Sequence, residues 1–144
     1  MMIVLDTDVV SEPMKANGNA GVPAWLDQQL AETLFLTTAS LSGLLLGIEM
    51  LPAGQRREGL GAALGELLVN LFGARIVSFD QAAAMAYAPL VGQARAAGQS
   101  ISVADGQIAA IAAVHGFAVA TRDTAPFVAA GVPVINPWQA QRSH

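Results

Sequence analysis

The sequence predicts an α/β sandwich in which helices flank a mainly parallel sheet. Short apolar runs alternate with segments of helical spacing, the pattern of βαβ units joined by right-handed crossovers. The first run, Met2-Ile3-Val4-Leu5, is continuously apolar, as in a strand buried on both faces. No linker, repeat or low-complexity block interrupts the 144 residues, so one domain over 1–144 is expected.

The first strand ends abruptly in Asp6-Thr7-Asp8, where Asp6 or Thr7 can cap a short helix through Val9 and Val10 that stops near Pro13. Gly21 to Ala31 reads as a helix with Trp25, Leu26 and Leu30 at core spacing, and Thr33-Leu34-Phe35-Leu36 as a second strand. Thr38 to Leu51 is a strongly apolar helix ended by Pro52-Ala53-Gly54. Gln55 to Phe72 has leucines at 60, 64, 67, 68 and 71 in helical register, weakened by Gly59, Gly61 and Gly65. Arg75-Ile76-Val77 is a third strand, Asp80 caps an Ala-rich helix through Ala97, and Ser102 to His115 is a further helix. Phe117-Ala118-Val119-Ala120 and Val132-Pro133-Val134-Ile135 are the last strands, Pro133 placing the final one at an edge.

Composition narrows the function. Hydrophobic residues make up 53% and charged residues 12%, about half the usual charged share. So little charge leaves apolar surface, which points to a homodimer, a cognate binding protein, or both. The net charge of −4 argues against a binder with a broad basic face, but not against a carboxylate-and-metal nuclease. The cations are Lys15 and the arginines at 56, 57, 75, 95, 122 and 142; Arg56-Arg57 could touch an RNA backbone but reads first as an exposed solvated pair. There is no cysteine, which excludes disulfides, thiolate zinc sites and cysteine nucleophiles, and only His115 and His144 could offer imidazole. His115, before Gly116, fits the last turn of a helix. Asp6 breaks the N-terminal apolar run too early for a signal peptide, and no span suits a membrane, so a cytoplasmic location is expected.

Three acids stand where catalysis in an open α/β sheet needs them. Asp6 follows the first strand, Asp123 follows the fourth after Thr121 and Arg122, and Asp105 lies near a helix start in Ser102-Val103-Ala104-Asp105. Ligands in such sheets bind at the C-terminal strand edge, where strand order switches. Singly, Asp6 and Asp105 read as caps worth about 1 kcal/mol each, and Asp123 as a turn residue. Together they would repel at about 4 kcal/mol per pair at 4 Å and an effective dielectric of 20. A divalent cation removes that cost and suits phosphodiester hydrolysis.

At these residues the chain resembles a known family. Leu5-Asp6-Thr7-Asp8-Val9-Val10-Ser11-Glu12, Ser102-Val103-Ala104-Asp105-Gly106-Gln107, Ala120-Thr121-Arg122-Asp123-Thr124 and Ile135-Asn136-Pro137-Trp138 occur in the order and spacing of PIN-domain toxins of the VapC type, FitB branch. The resemblance implies a PIN-like three-layer sandwich, Mg²⁺-dependent cleavage of RNA (with Mn²⁺ as the alternative ion), and a homodimer. It also implies inhibition by a VapB- or FitA-like DNA-binding antitoxin whose C-terminal tail enters the toxin's groove. Carried over by position, Asp6 and Asp105 match the main metal ligands and Asp123 a further acid of the site. Thr7 and Asp8 are supporting residues of that motif, and Thr121 matches a position that supports the ligands by hydrogen bonding.

One departure matters. The family pattern S/T-x-x-E-L-x-x-G falls on Ser40-Leu41-Ser42-Gly43-Leu44-Leu45-Leu46-Gly47, so Gly43 occupies the place of an expected acid. Glu49 is six positions on, about 600° around a helix and off that face. An attenuated ribonuclease is therefore expected; the rival is a non-catalytic module that dimerises and holds an antitoxin. A receiver domain needs a lysine near the sheet edge, whereas the only lysine is Lys15. A dinucleotide-binding domain needs G-x-G-x-x-G after its first strand, which is absent. Trp25 and Trp138 read as core or interface anchors.

Overall fold

The computed structural model describes residues 1–140; Arg142 and His144, and the end of the expected 1–144 domain, lie outside the described residues. Five strands, β1 (Ile3–Leu5), β2 (Leu34–Thr37), β3 (Ile76–Val77), β4 (Ala118–Ala120) and β5 (Val134–Ile135), form one sheet in the order β3-β2-β1-β4-β5. Every pairing is parallel, with Leu5 opposite Leu36 on one side and Ala120 on the other. β5 is an edge strand, preceded by Pro133.

Strand alternation sorts the core into two layers. Ile3 and Leu5 pack with Val9, Val10, Val22, Trp25, Leu44, Leu64 and Phe72. Val4 and Val119 face the other way, onto Val91, Ala94, Ile108, Ala109, Ala112 and Phe127. The first layer comes from helices α1 (Thr7–Ser11), α2 (Gly21–Asp27), α3 (Thr38–Glu49) and α4 (Gln55–Glu66). The second comes from α5 (Gln81–Ala96), α6 (Val103–His115) and α7 (Thr124–Ala129), and α8 (Pro137–Ala140) closes the described chain. This is a three-layer sandwich. Full burial of a single Leu, Ile or Phe stabilises by about 1.5–3 kcal/mol, and Leu5, Leu34, Leu36, Phe72 and Phe127 are all nearly solvent-free.

Several expectations need correction. The helix read over 21–31 ends at Asp27, and Leu30, assigned to the core, is 65% exposed. Two glutamines follow Asp27, and Gln28 and Gln29 turn the chain through backbone bonds to Trp25 and Leu26. The glycines of 55–72 do not break that segment; α4 runs on into a π-helical turn over Leu67–Phe72. Its wider turn shows in the bond from Gly73 N–H to Leu68 O, 2.9 Å. The short α7 and α8 were not anticipated; each begins just after a strand, where a few residues give no periodicity. His115 does sit in the last turn of α6, ended by Gly116 at φ +71°, and its ring stacks on Phe117. Trp25 is a core residue and Trp138 is half-buried.

Candidate active site

The sheet order puts the switch in strand order beside β1, with β2 on one side of it and β4 on the other. Residues that follow β1 and β4 therefore meet at the crevice where α/β sheets bind ligands. Asp6 follows β1, and its amide donates to Ala120 O at 2.9 Å, which sets Thr121 beside it. Asp6 caps α1: Oδ1 accepts the Thr7 amide at 2.8 Å, while Oδ2 accepts the Thr121 hydroxyl at 2.8 Å. Thr121 is fully buried, and its Oγ1 in turn accepts the Asp123 amide at 3.2 Å. The next loop residue closes a second link, the Arg122 amide donating to Asp8 Oδ2 at 3.1 Å. Asp6, Asp8, Thr121 and Asp123 are thus one hydrogen-bonded unit spanning β1 and β4.

Asp105 arrives from elsewhere. Ser102 caps α6 by accepting the Asp105 amide at 3.1 Å, which fixes the first turn of that helix. Gly106, the next residue, lets α6 approach α5, since a Cβ there would lie 2.7 Å from Tyr87 Cε2. The carboxylates feel one another. Burial, then repulsion from Asp123, raises Asp6 above the ordinary carboxylate range despite its two hydrogen bonds. Burial, then the charge of Asp6, raises Asp8 and Asp105 each to about 6.

The donor set fits a hard divalent cation. All its groups are oxygens, their charges repel, and Asp8 Oδ1 is buried without a hydrogen-bond partner. Among the described residues no three ligating side chains already enclose a point. An all-protein cage is also not what Mg²⁺ requires, since it binds through one or two carboxylates and keeps its waters. Asp123 lies at the exposed rim.

Gly43 lies on the exposed side of α3, against α1, and a Cβ there would stand 3.7 Å from Thr7 Oγ1. That distance is ordinary contact, so position 43 has room for a side chain next to the residue following Asp6. Glu49 points elsewhere, pairing with Arg57 at 2.7 Å. What sequence reading missed is the role of Asp8 as acceptor for the Arg122 amide. Its signal, an acid two residues after Asp6, was present but does not reveal a bond across 114 positions.

This bond yields a prediction. Asp8→Asn keeps an acceptor for the amide and removes a charge, so it is expected to retain cleavage within about threefold. Asp8→Ala frees the turn that carries Asp123 and is expected to lower kcat by roughly 10- to 100-fold, the usual effect of losing a group that orients metal ligands. Equal losses in both variants would show that the charge matters and the anchoring does not.

The model of the PIN domain family matches residues 3–132, and the chain belongs to that family. The VapC ribonuclease Y4jK of Sinorhizobium fredii is 50% identical over 96% of this chain and 99% of its own length. Toxin FitB of Neisseria gonorrhoeae is 42% identical over 95% and 99%. The solved structure of FitAB bound to an IR36 DNA fragment superposes with a TM-score of 0.92 at 40% identity, covering 99% of this chain and all of that one.

Proposed function

We propose that this chain is the toxin of a toxin–antitoxin pair, a metal-dependent ribonuclease that carries a weakened site. The carrying observation is the bonded unit of Asp6, Thr121 and Asp123 at the β1–β4 switch, with Asp105 coupled to it by charge. The likeness in sequence to a VapC ribonuclease and to toxin FitB supports the same reading. Asp6 and Asp105 would hold Mg²⁺ or Mn²⁺, with Asp123 at the rim. Once bound, such an ion neutralises the repelling carboxylates and polarises a phosphodiester. Thr121 and the Thr7 amide hold the Asp6 carboxylate in one rotamer, and Asp8 holds the loop that presents Asp123. Position 43 contributes no charge, which is the basis for attenuation. The partner is a FitA-like, DNA-binding antitoxin, and the chain constitutes a single PIN domain. Purified chain should cleave structured RNA in Mg²⁺ and lose that activity in EDTA; equal rates in both would sink the metal-dependent reading.

Gly43 also favours a second reading, a PIN module that dimerises and binds its antitoxin without cutting RNA. Cleavage abolished by Asp6→Asn excludes it; no cleavage from protein that still binds antitoxin supports it. Both readings share a homodimer. Leu45 and Leu46 on α3 and Met50 just after it are 51%, 61% and 77% exposed, more apolar surface around one helix than solvent suits. Light scattering at micromolar concentration is expected to give a dimer mass, with Leu46→Glu shifting it to monomer. A wild-type monomer would contradict this. No helix among the described residues is long and apolar enough to cross a membrane.

A further inference from the structure

Asn136-Pro137-Trp138 follows β5 and touches the carboxylate loop through one aromatic ring. Asn136 starts the turn, its Oδ1 accepting the Trp138 amide at 3.0 Å. Pro137 takes the first position of α8, where no amide donor is needed. These two residues fix where Trp138 stands. Its ring packs on the first core layer, and α8 rests on α2. β4 and β5 are neighbours, and the Thr121 amide donates to Ile135 O at 2.9 Å. The loop after β4 and the start of α8 therefore lie side by side, and the Arg122 guanidinium sits over the Trp138 ring, 5.4 Å from its centroid.

Arg122 is the loop residue between Thr121 and Asp123. Its amide is held by Asp8 and its side chain by Trp138. Asp123 follows it in the chain, yet Arg122 makes no ion pair among the described residues. The guanidinium is spent on the ring, a contact that favours Trp above other aromatics. The far side of the ring is tied to α1 as well. After the Asn19 amide and Lys15, Trp138 is among the groups that lower the Glu12 carboxyl. Glu12 lies four residues beyond Asp8, one helical turn on. One short stretch of chain thus serves both anchors of the loop.

We propose that Trp138 is a positioning residue for cleavage: its ring anchors Arg122 and so holds the loop that presents Asp123. This rests on the ribonuclease reading and deepens it. The loop is pinned at two points, by its backbone to Asp8 and by its side chain to α8. Without the ring only the backbone bond remains, and Asp123 samples positions away from Asp6. The rate then falls while RNA binding is unchanged.

Two measurements on the full chain test this. Hydrogen exchange of metal-free protein reads the loop directly. Trp138→Leu should speed exchange of the Arg122 and Asp123 amides about 3- to 10-fold, the scale of one partly shielded cation–π contact. Arg122→Gln, at an exposed position and with the Asp8 bond kept, should do the same and carries the decision if Trp138→Leu fails to fold. The Thr7 and Asp105 amides, held by Asp6 and Ser102, should exchange as before. Cleavage in Mg²⁺ should lose kcat by a similar factor, with KM within about twofold. Trp138→Phe keeps a ring face and should bring both quantities back to within about twofold of wild type. The double variant Trp138→Leu/Arg122→Gln should be no worse than either single one. Unchanged exchange and kcat in both single variants, from a chain whose wild type cuts RNA, overturns the role and leaves the ribonuclease reading standing. Exchange that speeds equally at Thr7 and Asp105, without recovery in Trp138→Phe, makes Trp138 a packing residue only and overturns it too. A change confined to KM in Arg122→Gln assigns that side chain to RNA binding, again against the proposal. Wild-type protein that cuts no RNA removes the ribonuclease reading and the positioning role together.

Discussion

Gly43→Glu is expected to raise RNA cleavage by at least roughly 10- to 100-fold over the present chain, judged by what loss of a ligand-orienting group costs elsewhere. The structure has room for it: the added Cβ meets only Thr7 Oγ1 at 3.7 Å and Cγ2 at 3.8 Å. Glutamate is also a better helix former than glycine by nearly 1 kcal/mol, so α3 should gain stability locally. A longer carboxylate at this position can reach past Thr7 toward the crevice where Asp6 and Asp105 already act on each other. Gly43→Gln is the control, filling the same space without charge, and should give little of the gain. Expression of Gly43→Glu without antitoxin should arrest growth. Equal rates for Gly, Gln and Glu at position 43 would show that the site does not extend to α3.

The second large effect is at Asp6. Both its oxygens are hydrogen-bonded, to the Thr7 amide and the Thr121 hydroxyl. Asparagine can keep that network, since its oxygen accepts the amide and its NH₂ can donate to Thr121. Asp6→Asn should therefore fold normally yet lose cleavage by at least about 100-fold, beyond the range for merely orienting groups. Its stability should depend on pH in a telling way. In metal-free wild type, Asp6 is raised and Asp8 and Asp105 are held near 6, above the ordinary carboxylate value of 3.8. Groups raised in the folded state bind protons that the unfolded chain has released, so stability falls as pH rises. The destabilisation is absent below about 3.8 and fully present above about 6. Melting temperature of metal-free protein should accordingly drop between pH 4.5 and 7.5, by about 3 °C per kcal/mol of lost stability for a chain of this size. Partial exposure of Asp8 and Asp105 moderates the drop. Asp6→Asn should lessen it without abolishing it, because Asp6 no longer titrates and its charge no longer adds to the burial that chiefly raises the other two. Mg²⁺ should restore stability at pH 7.5 in wild type and not in the variant.

Much of this was legible in the sequence. Ile3-Val4-Leu5 and Ala118-Val119-Ala120 are apolar on every residue because neighbours cover both faces of β1 and β4. Such runs identify strands without alternation, and their ends give the positions of Asp6 and Asp123. The cap of α6 was misplaced: Asp105 read as a cap by itself, whereas Ser102, three residues earlier, is the N-cap that accepts the Asp105 amide and leaves the Asp105 carboxylate in the first turn. Leu30 misled because it keeps helical spacing beyond Asp27, where the helix has already turned. The link from Asp8 to Arg122 depends on how the pairing of β1 with β4 brings α1 beside the loop after β4. Spacing within a single element carries no such information. Gly43 is the reverse case: a resemblance fixed its register, and the contact with Thr7 gives that position its neighbourhood.

The central claim is that the acids after β1 and β4 and at the start of α6 hold one divalent cation. Anomalous diffraction from crystals grown with Mn²⁺ tests it most directly. The predicted result is a single strong peak within coordinating distance of Asp6 and Asp105 carboxylate oxygens, about 2.0–2.2 Å, and absent in Asp6→Asn. A peak elsewhere on the surface, or none at Asp6 in crystals whose protein cleaves RNA in Mn²⁺, would contradict it.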